Sequence, residues 1–409
     1  MDRYLNKSNF GMLCVVLSGL LYGFLGYFGM TLVKEGFSGV IYSTKETRDL
    51  AELILEDALG LLNKQAVREG VLPLYEAQDM KRAFTLWKTI PYHENISFDI
   101  FSVYAKDAGH ILGSSMFEFT HNGKKIVFTG DLGNSPSPLL CDTEVVNDAD
   151  YIIMESVYGD RNHEPKVERR EKFQRIIEES IKRGGTLIIP TFSLERTQVI
   201  LYEINNLVES KSILSVPIYL DSPLATKVTE VYKASSYLFN EKVREEIKAG
   251  DDVFNFPRLS YTVNAEESKS IDYSVSPKII IAGSGMSVGG RVIHHEELYL
   301  PDSKNTILLV GYQTPGSLGR DFLYGLKKVN IHNSEVAVRA KIEYIPGYSS
   351  HKDSDHLVEF VSNTKDTIKK AFIVMGEMKS STFLAQRIRD EIGIEAICPN
   401  REGSFLLFS

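Results

Sequence analysis

The clearest patterning along the chain is an alternating stretch, Met116-Phe-Glu-Phe-Thr120, then the turn His121-Asn-Gly-Lys124, then an apolar stretch, Lys125-Ile-Val-Phe-Thr129. Alternation around an Asn-Gly turn predicts a β-hairpin. Elsewhere the apolar positions form short continuous runs. Val40–Tyr42, Asp150–Glu155, Gly185–Pro190, Val216–Asp221, Pro277–Ala282, Asn305–Val310 and Ile342–Ile345 read as strands, most of them buried on both faces. Between them lie helical stretches. Thr44 predicts the cap of a helix reaching about Leu62, Val167 to Lys182 is charged and amphipathic, and another helix begins near Glu195. Apolar strands separated by helices imply a parallel or mixed sheet covered on both faces. Phe256 to Ser276 is polar and predicts a connection or an excursion. Gly185 to Val310 therefore reads as an α/β unit with its own sheet, inserted into another domain.

The N-terminus breaks this rhythm. Phe10 to Val33 carries no charge, holds five glycines and includes Gly19-Leu-Leu-Tyr-Gly23. Its length and GxxxG spacing suit a membrane span. The alternative is a buried strand from Leu13, a glycine-rich loop and a core helix from Phe28 to Glu35. The second reading is preferred, because the chain continues at once through Gly36-Phe-Ser-Gly-Val40 in an ordinary helix-to-strand passage.

Composition adds bounds. The 409 residues suggest two or three domains, and 43% hydrophobic with 24% charged residues suits a soluble globular chain. A net charge of -8 argues against a surface coated in basic residues but leaves room for a local basic groove. Three cysteines, Cys14, Cys141 and Cys398, form no CxxC pair, which suits a reducing cytoplasmic setting and excludes a cysteine-rich zinc module.

The candidate chemistry gathers around the hairpin. His110, in Ala108-Gly-His-Ile-Leu-Gly-Ser114, precedes it, and Asp131, in Thr129-Gly-Asp-Leu-Gly133, follows it. A hairpin brings its open ends together. Glu155 ends a strand, and His351 follows Gly347-Tyr-Ser-Ser350. Singly, each has an ordinary structural reading: a core histidine, a turn cap, an ion pair between Glu155 and Arg161, and a helix start where Asp353 is a helix-end acid. Together they share a position just beyond strand ends, where α/β proteins place ligands. Histidine and carboxylate suit zinc, manganese or iron, and a bridging carboxylate can hold two metals. Ala282-Gly-Ser-Gly-Met-Ser-Val-Gly-Gly-Arg291 and Gly311-Tyr-Gln-Thr-Pro-Gly-Ser-Leu-Gly-Arg320 are glycine loops that follow strands and end in arginine. Their amides, with Arg291 and Arg320, suit a phosphate backbone, although a tight structural turn would use the same residues.

These islands, with Met154-Glu-Ser-Val-Tyr-Gly-Asp-Arg161, Asp221-Ser-Pro-Leu-Ala225 and Gly347-Tyr-Ser-Ser-His351, resemble the metallo-β-lactamase superfamily, and within it the β-CASP RNA-processing nucleases. The resemblance covers almost the whole chain from Val33. It implies an α/β fold: an αββα metallo-β-lactamase sandwich, shortened at its N-terminus, with an inserted β-CASP cap. The implied parts are residues 1–159, 160–345 and 346–409, the middle one being the cap. It implies a two-zinc site in the cleft between domains, single-stranded RNA as substrate, and room for a homodimer. His110 matches a ligand to one zinc, Asp131 the bridging aspartate, His351 a ligand to the second, and Glu155 an acid near the attacking water. Ser284, Gly285, Gly289, Gly290, Arg291 and Arg320 become the candidate substrate contacts.

Two departures stand out. The family motif HxHxDH should fall where this chain has Gly19, Leu21, Gly23 and Phe24. The histidine of a later His-Gly-Glu is replaced by Met375 in Val374-Met-Gly-Glu377, which removes a proton donor for the leaving oxygen. Shared between two zincs, the remaining ligands leave each below the three protein donors of a catalytic site, so weak metal binding and little hydrolysis are expected. Three origins follow as expectations: a truncated or mis-started ribonuclease, an RNA-binding pseudoenzyme or nuclease partner, and a membrane-tethered variant. A small-substrate hydrolase such as a β-lactamase or glyoxalase leaves the insertion without a purpose.

Overall fold

The computed structural model describes residues 12–14, 29–400, 403–405 and 407. The positions expected to carry HxHxDH, and most of the apolar segment from Phe10, lie outside the described residues. Among those described, no helix is long and apolar enough to cross a membrane. The chain divides into two compact units, Met1–Asn162 with His351–Ser409, and His163–Ser350.

The strands of the first unit begin with β1 (Met12–Cys14), β2 (Val40–Ser43), β3 (Trp87–Thr89), β4 (Asn95–Ser97), β5 (Ser102–Asp107), β6 (Ser115–His121), β7 (Lys124–Phe128) and β8 (Tyr151–Met154). The second unit carries β9 (Thr186–Pro190), β10 (Ile218–Asp221), β11 (Leu259–Tyr261), β12 (Lys278–Ala282), β13 (Thr306–Val310), β14 (Lys328–Ile331), β15 (Ser334–Ala337) and β16 (Lys341–Ile345). The chain then returns to the first unit for β17 (Lys370–Ile373) and β18 (Glu395–Ile397).

In the first unit β1, β2 and β3 form a small parallel sheet, and a larger sheet runs β18-β17-β8-β7-β6-β5-β4. From β4 to β7 the larger sheet is antiparallel, as the alternation predicts; from β7 to β18 it is parallel. The expected hairpin is β6–β7, with Phe117 opposite Phe128 and His121 opposite Lys124. Its core face buries Met116 and Val127 with Ile152, Leu357, Leu384 and Ile388. The Thr44 side chain caps a helix at the amide of Thr47, but this helix runs Lys45–Glu69. It passes Leu62 because no breaker intervenes before Gly70, whose φ of 67° gives the left-handed stop.

The second unit holds a six-stranded sheet, β11-β10-β12-β9-β13-β16, with every pairing parallel. Its inner strands β9, β12 and β13 are buried at every residue, which is why they read as unbroken apolar runs. The stretch expected as a connection or an excursion contains β11, paired with β10 at the sheet edge, and the helix Ala265–Ser270. Three residues are too few for a strand to show a period.

Candidate metal centre

The hairpin geometry places two donors side by side. Asp107 ends β5, and its carboxylate accepts from the amide of Gly109, whose φ is 66°. That left-handed turn aims the next residue, His110, inward. At the other open end β7 stops at Phe128 and the chain turns through Gly130 to Asp131. The two loops are stitched together: Gly133 donates to the carbonyl of Ala108 at 2.8 Å, and Thr143 Oγ1 donates to Ala108 and Gly133. The contact is close enough that a Cβ on Gly133 would sit 2.0 Å from the carbonyl oxygen of Gly109. His110 Nε2 then lies 3.7 Å from Asp131 Oδ2, with both side chains buried.

His351 joins from far along the chain. It forms an antiparallel bridge with Gly133, and the amide of Lys352 donates to Leu132 at 2.8 Å. The rings of His110 and His351 lie 4.5 Å apart. Glu155, one residue past β8, orients this histidine: His351 Nδ1 lies 3.1 and 3.2 Å from its two carboxylate oxygens. Glu155 also accepts from the amides of Leu132 and Val157. It does not pair with Arg161, which bonds Asp160 and lies over the Tyr158 ring. Burial raises the Glu155 carboxyl to about 8, against the opposite pull of the two amides and of Lys352.

The donor atoms of His110, Asp131 and His351 all lie within 4.8 Å of one another. The three donors therefore converge, with the Asp131 carboxylate within reach of both imidazoles. Two imidazoles and one carboxylate form a donor set that zinc accepts with a fourth position left open. Glu155 behind His351 is the carboxylate that such histidines ordinarily carry on their other nitrogen. The residues present therefore fit one divalent ion. Lys352 went unnoticed in the sequence; it is buried, donates to Ser135 Oγ, and has its pKa lowered by desolvation. Its only signal was adjacency to His351.

The expected phosphate loops lie in the second unit. Ser284 donates its amide to Gly289, Ser287 donates to the Ser284 carbonyl, and Val288 donates to Ser284 Oγ, so the first loop closes on itself. Gly290 has a φ of 76°, and a Cβ there would meet the Gly283 carbonyl at 2.5 Å; one on Gly285 would meet the Phe192 backbone at 2.9 Å. Gly289 has open space around it. Gln313 ties the two loops together by donating to the carbonyls of Gly285 and Gly311. Arg291 donates to Asp221 at 2.6 Å and to the carbonyls of Thr262 and Val263. Its fork holds the fold. Arg320 instead lies over the rings of Tyr312 and Tyr324, at 5.2 and 5.7 Å.

A histidine–aspartate–histidine cluster beyond the strand ends of a mixed sheet, in a unit interrupted by a parallel α/β unit, defines a metallo-hydrolase class. The description Beta-Casp domain matches residues 197–322, and Zn-dependent metallo-hydrolase RNA specificity domain matches residues 335–399. The chain is 33% identical over 330 residues to Ribonuclease TTHA0252 of Thermus thermophilus, covering 81% of this chain and 74% of that one. It is 32% identical over 380 residues to Transcription termination factor FttA of Thermococcus kodakarensis, covering 89% of this chain but only 57% of the relative. A crystal structure of a protein of unknown function from Enterococcus faecalis V583 shares the fold, with a TM-score of 0.52 and 12% identity over 89% of this chain and 75% of that one. The chain belongs to the β-CASP nuclease group of the metallo-β-lactamase family.

Proposed function

We propose that this chain binds single-stranded RNA and holds one divalent cation, zinc by family, on His110, Asp131 and His351, with slow phosphodiester hydrolysis. The convergence of these three donors within 4.8 Å carries the reading. When bound, such an ion supplies an acidified water and polarises a phosphoryl oxygen. The chain's own residues set the stage. Asp131 and His110 are fixed by the two stitched loops, and Glu155 keeps His351 turned toward them. Met375 stands where the family places a histidine, and a thioether cannot donate a proton to a leaving oxygen. Its backbone at φ 57° and its neighbour Gly376, pressed against Ser156, hold the turn without a proton donor. For the RNA backbone, the support is strongest at Arg320, whose guanidinium lies over two tyrosine rings with its Nε buried and lacking a hydrogen-bond partner. Ser284, Gly285, Gly289 and Gly290 shape the loop beside it.

Metal analysis with a single-stranded RNA cleavage assay tests this on the full chain. Asp131→Asn is expected to remove one equivalent of zinc and whatever cleavage the parent shows. Loss of two equivalents, or of none, would refute the one-ion centre. RNA binding with no cleavage at all in the zinc-loaded parent would favour the second reading, an inactive RNA-binding partner, to which Met375 points.

A further inference from the structure

A second group of donors lies wholly within the other unit. The helix Val292–Tyr299 carries His294 and His295, and the short turn Ile271–Tyr273 carries Asp272. Their ligand atoms again lie within 4.8 Å of one another.

His295 carries the argument. It is fully buried, and its Nε2 lies 2.7 Å from Asp221 Oδ2, also fully buried. Asp221 accepts in addition from Arg291, Thr262 and Ser268. With these donors on its two oxygens Asp221 is the acceptor, and His295 Nε2 is the donor facing it. In the neutral ring Nδ1 is then a lone pair. That Nδ1 is buried without a hydrogen-bond partner, and so is Asp272 Oδ1, which faces it at 4.0 Å. Two acceptors face each other across a gap too long for a hydrogen bond. Donors sharing one tetrahedral zinc stand about 3.3–3.5 Å apart, so a shift of about half an ångström would close this gap on an ion. The other Asp272 oxygen lies 2.8 Å from His294 Nε2, at the solvent edge. Lys278, the nearby cation, does not fill the gap: its ammonium donates to the carbonyls of Ile271 and Ser274.

We propose that Asp272, His294 and His295 form a second metal site, for a divalent ion of the zinc class, with Asp221 as the carboxylate that orients His295. Two imidazoles and one carboxylate select such an ion over magnesium or calcium. The ion staples the turn at Asp272 to the helix that starts directly after Gly289-Gly290-Arg291. It thereby braces the first glycine loop.

The test uses the full chain, stripped with a chelator and reloaded with cobalt(II) or zinc. In an Asp131→Asn background, which empties the first centre, one equivalent is expected to remain, with a cobalt d–d band and a zinc-dependent rise in melting temperature. Adding Asp272→Asn, or His294→Gln at a half-exposed position that leaves the core intact, is expected to abolish all three signals. The site is overturned if the Asp131→Asn chain binds no metal, or if both added substitutions leave its equivalent and its cobalt band in place. Failure of the first centre reads differently, as an Asp131→Asn chain that keeps every equivalent of the parent.

Discussion

Glu155 illustrates how one side chain can orient the proposed centre without belonging to its donor set. It is buried, 196 residues from His351 in sequence, and holds that ring by Nδ1. Glu155→Gln keeps the volume and removes the carboxylate, so zinc affinity at the centre is expected to fall about 10–100-fold. Competition against a chromogenic chelator measures this, and an unchanged affinity would show that the packing of His351 alone suffices. His110, Asp131 and His351 were legible because each sits in a short motif beyond a predicted strand. That all three meet at one point was not legible, because the bridge from Gly133 to His351 pairs segments more than 200 residues apart.

At the scale of elements, Asp107 at the end of β5 couples the site loop to pH. Burial, first, and the nearby Glu144 raise its carboxyl from 3.8 to about 7, against the Gly109 amide and His93. The unfolded chain releases this proton first, so native stability falls as pH rises from about 4 to about 7. Asp107→Asn removes that slope. Its melting temperature is expected to gain a few degrees on the parent between pH 4 and pH 8. A constant difference in calorimetry across that range would contradict the assignment. In the second unit, Arg291→Ala would leave the buried Asp221 without its guanidinium and is expected to cost about 3–5 kcal/mol in urea unfolding. A surface arginine reserved for phosphate would cost almost nothing. Elements with a strong period, such as β6 and β7, were read correctly from their pattern. The three-residue β11 was not, since it is stabilised only by pairing with β10.

For the whole molecule, net charge of -8 makes any RNA binding depend on local cations. Binding of single-stranded RNA on filters should weaken as salt rises, with a log–log slope of about -0.7 per phosphate contacted. Arg320→Ala is expected to flatten that slope by about one such contact and to weaken binding alike for different sequences. An unaltered slope would remove Arg320 from the interface. The chain by itself determined most of the strands, the hairpin and the family, and it singled out the candidate donors, because period, turn chemistry and motif spacing are local properties of sequence. Tertiary structure decided what those donors do. It gathered three of them within 4.8 Å of one another, and it committed Arg291 to Asp221. It also set His295 against Asp272. These outcomes depend on burial and on contacts between distant segments, where desolvation chooses the partners and local pattern carries no trace of them.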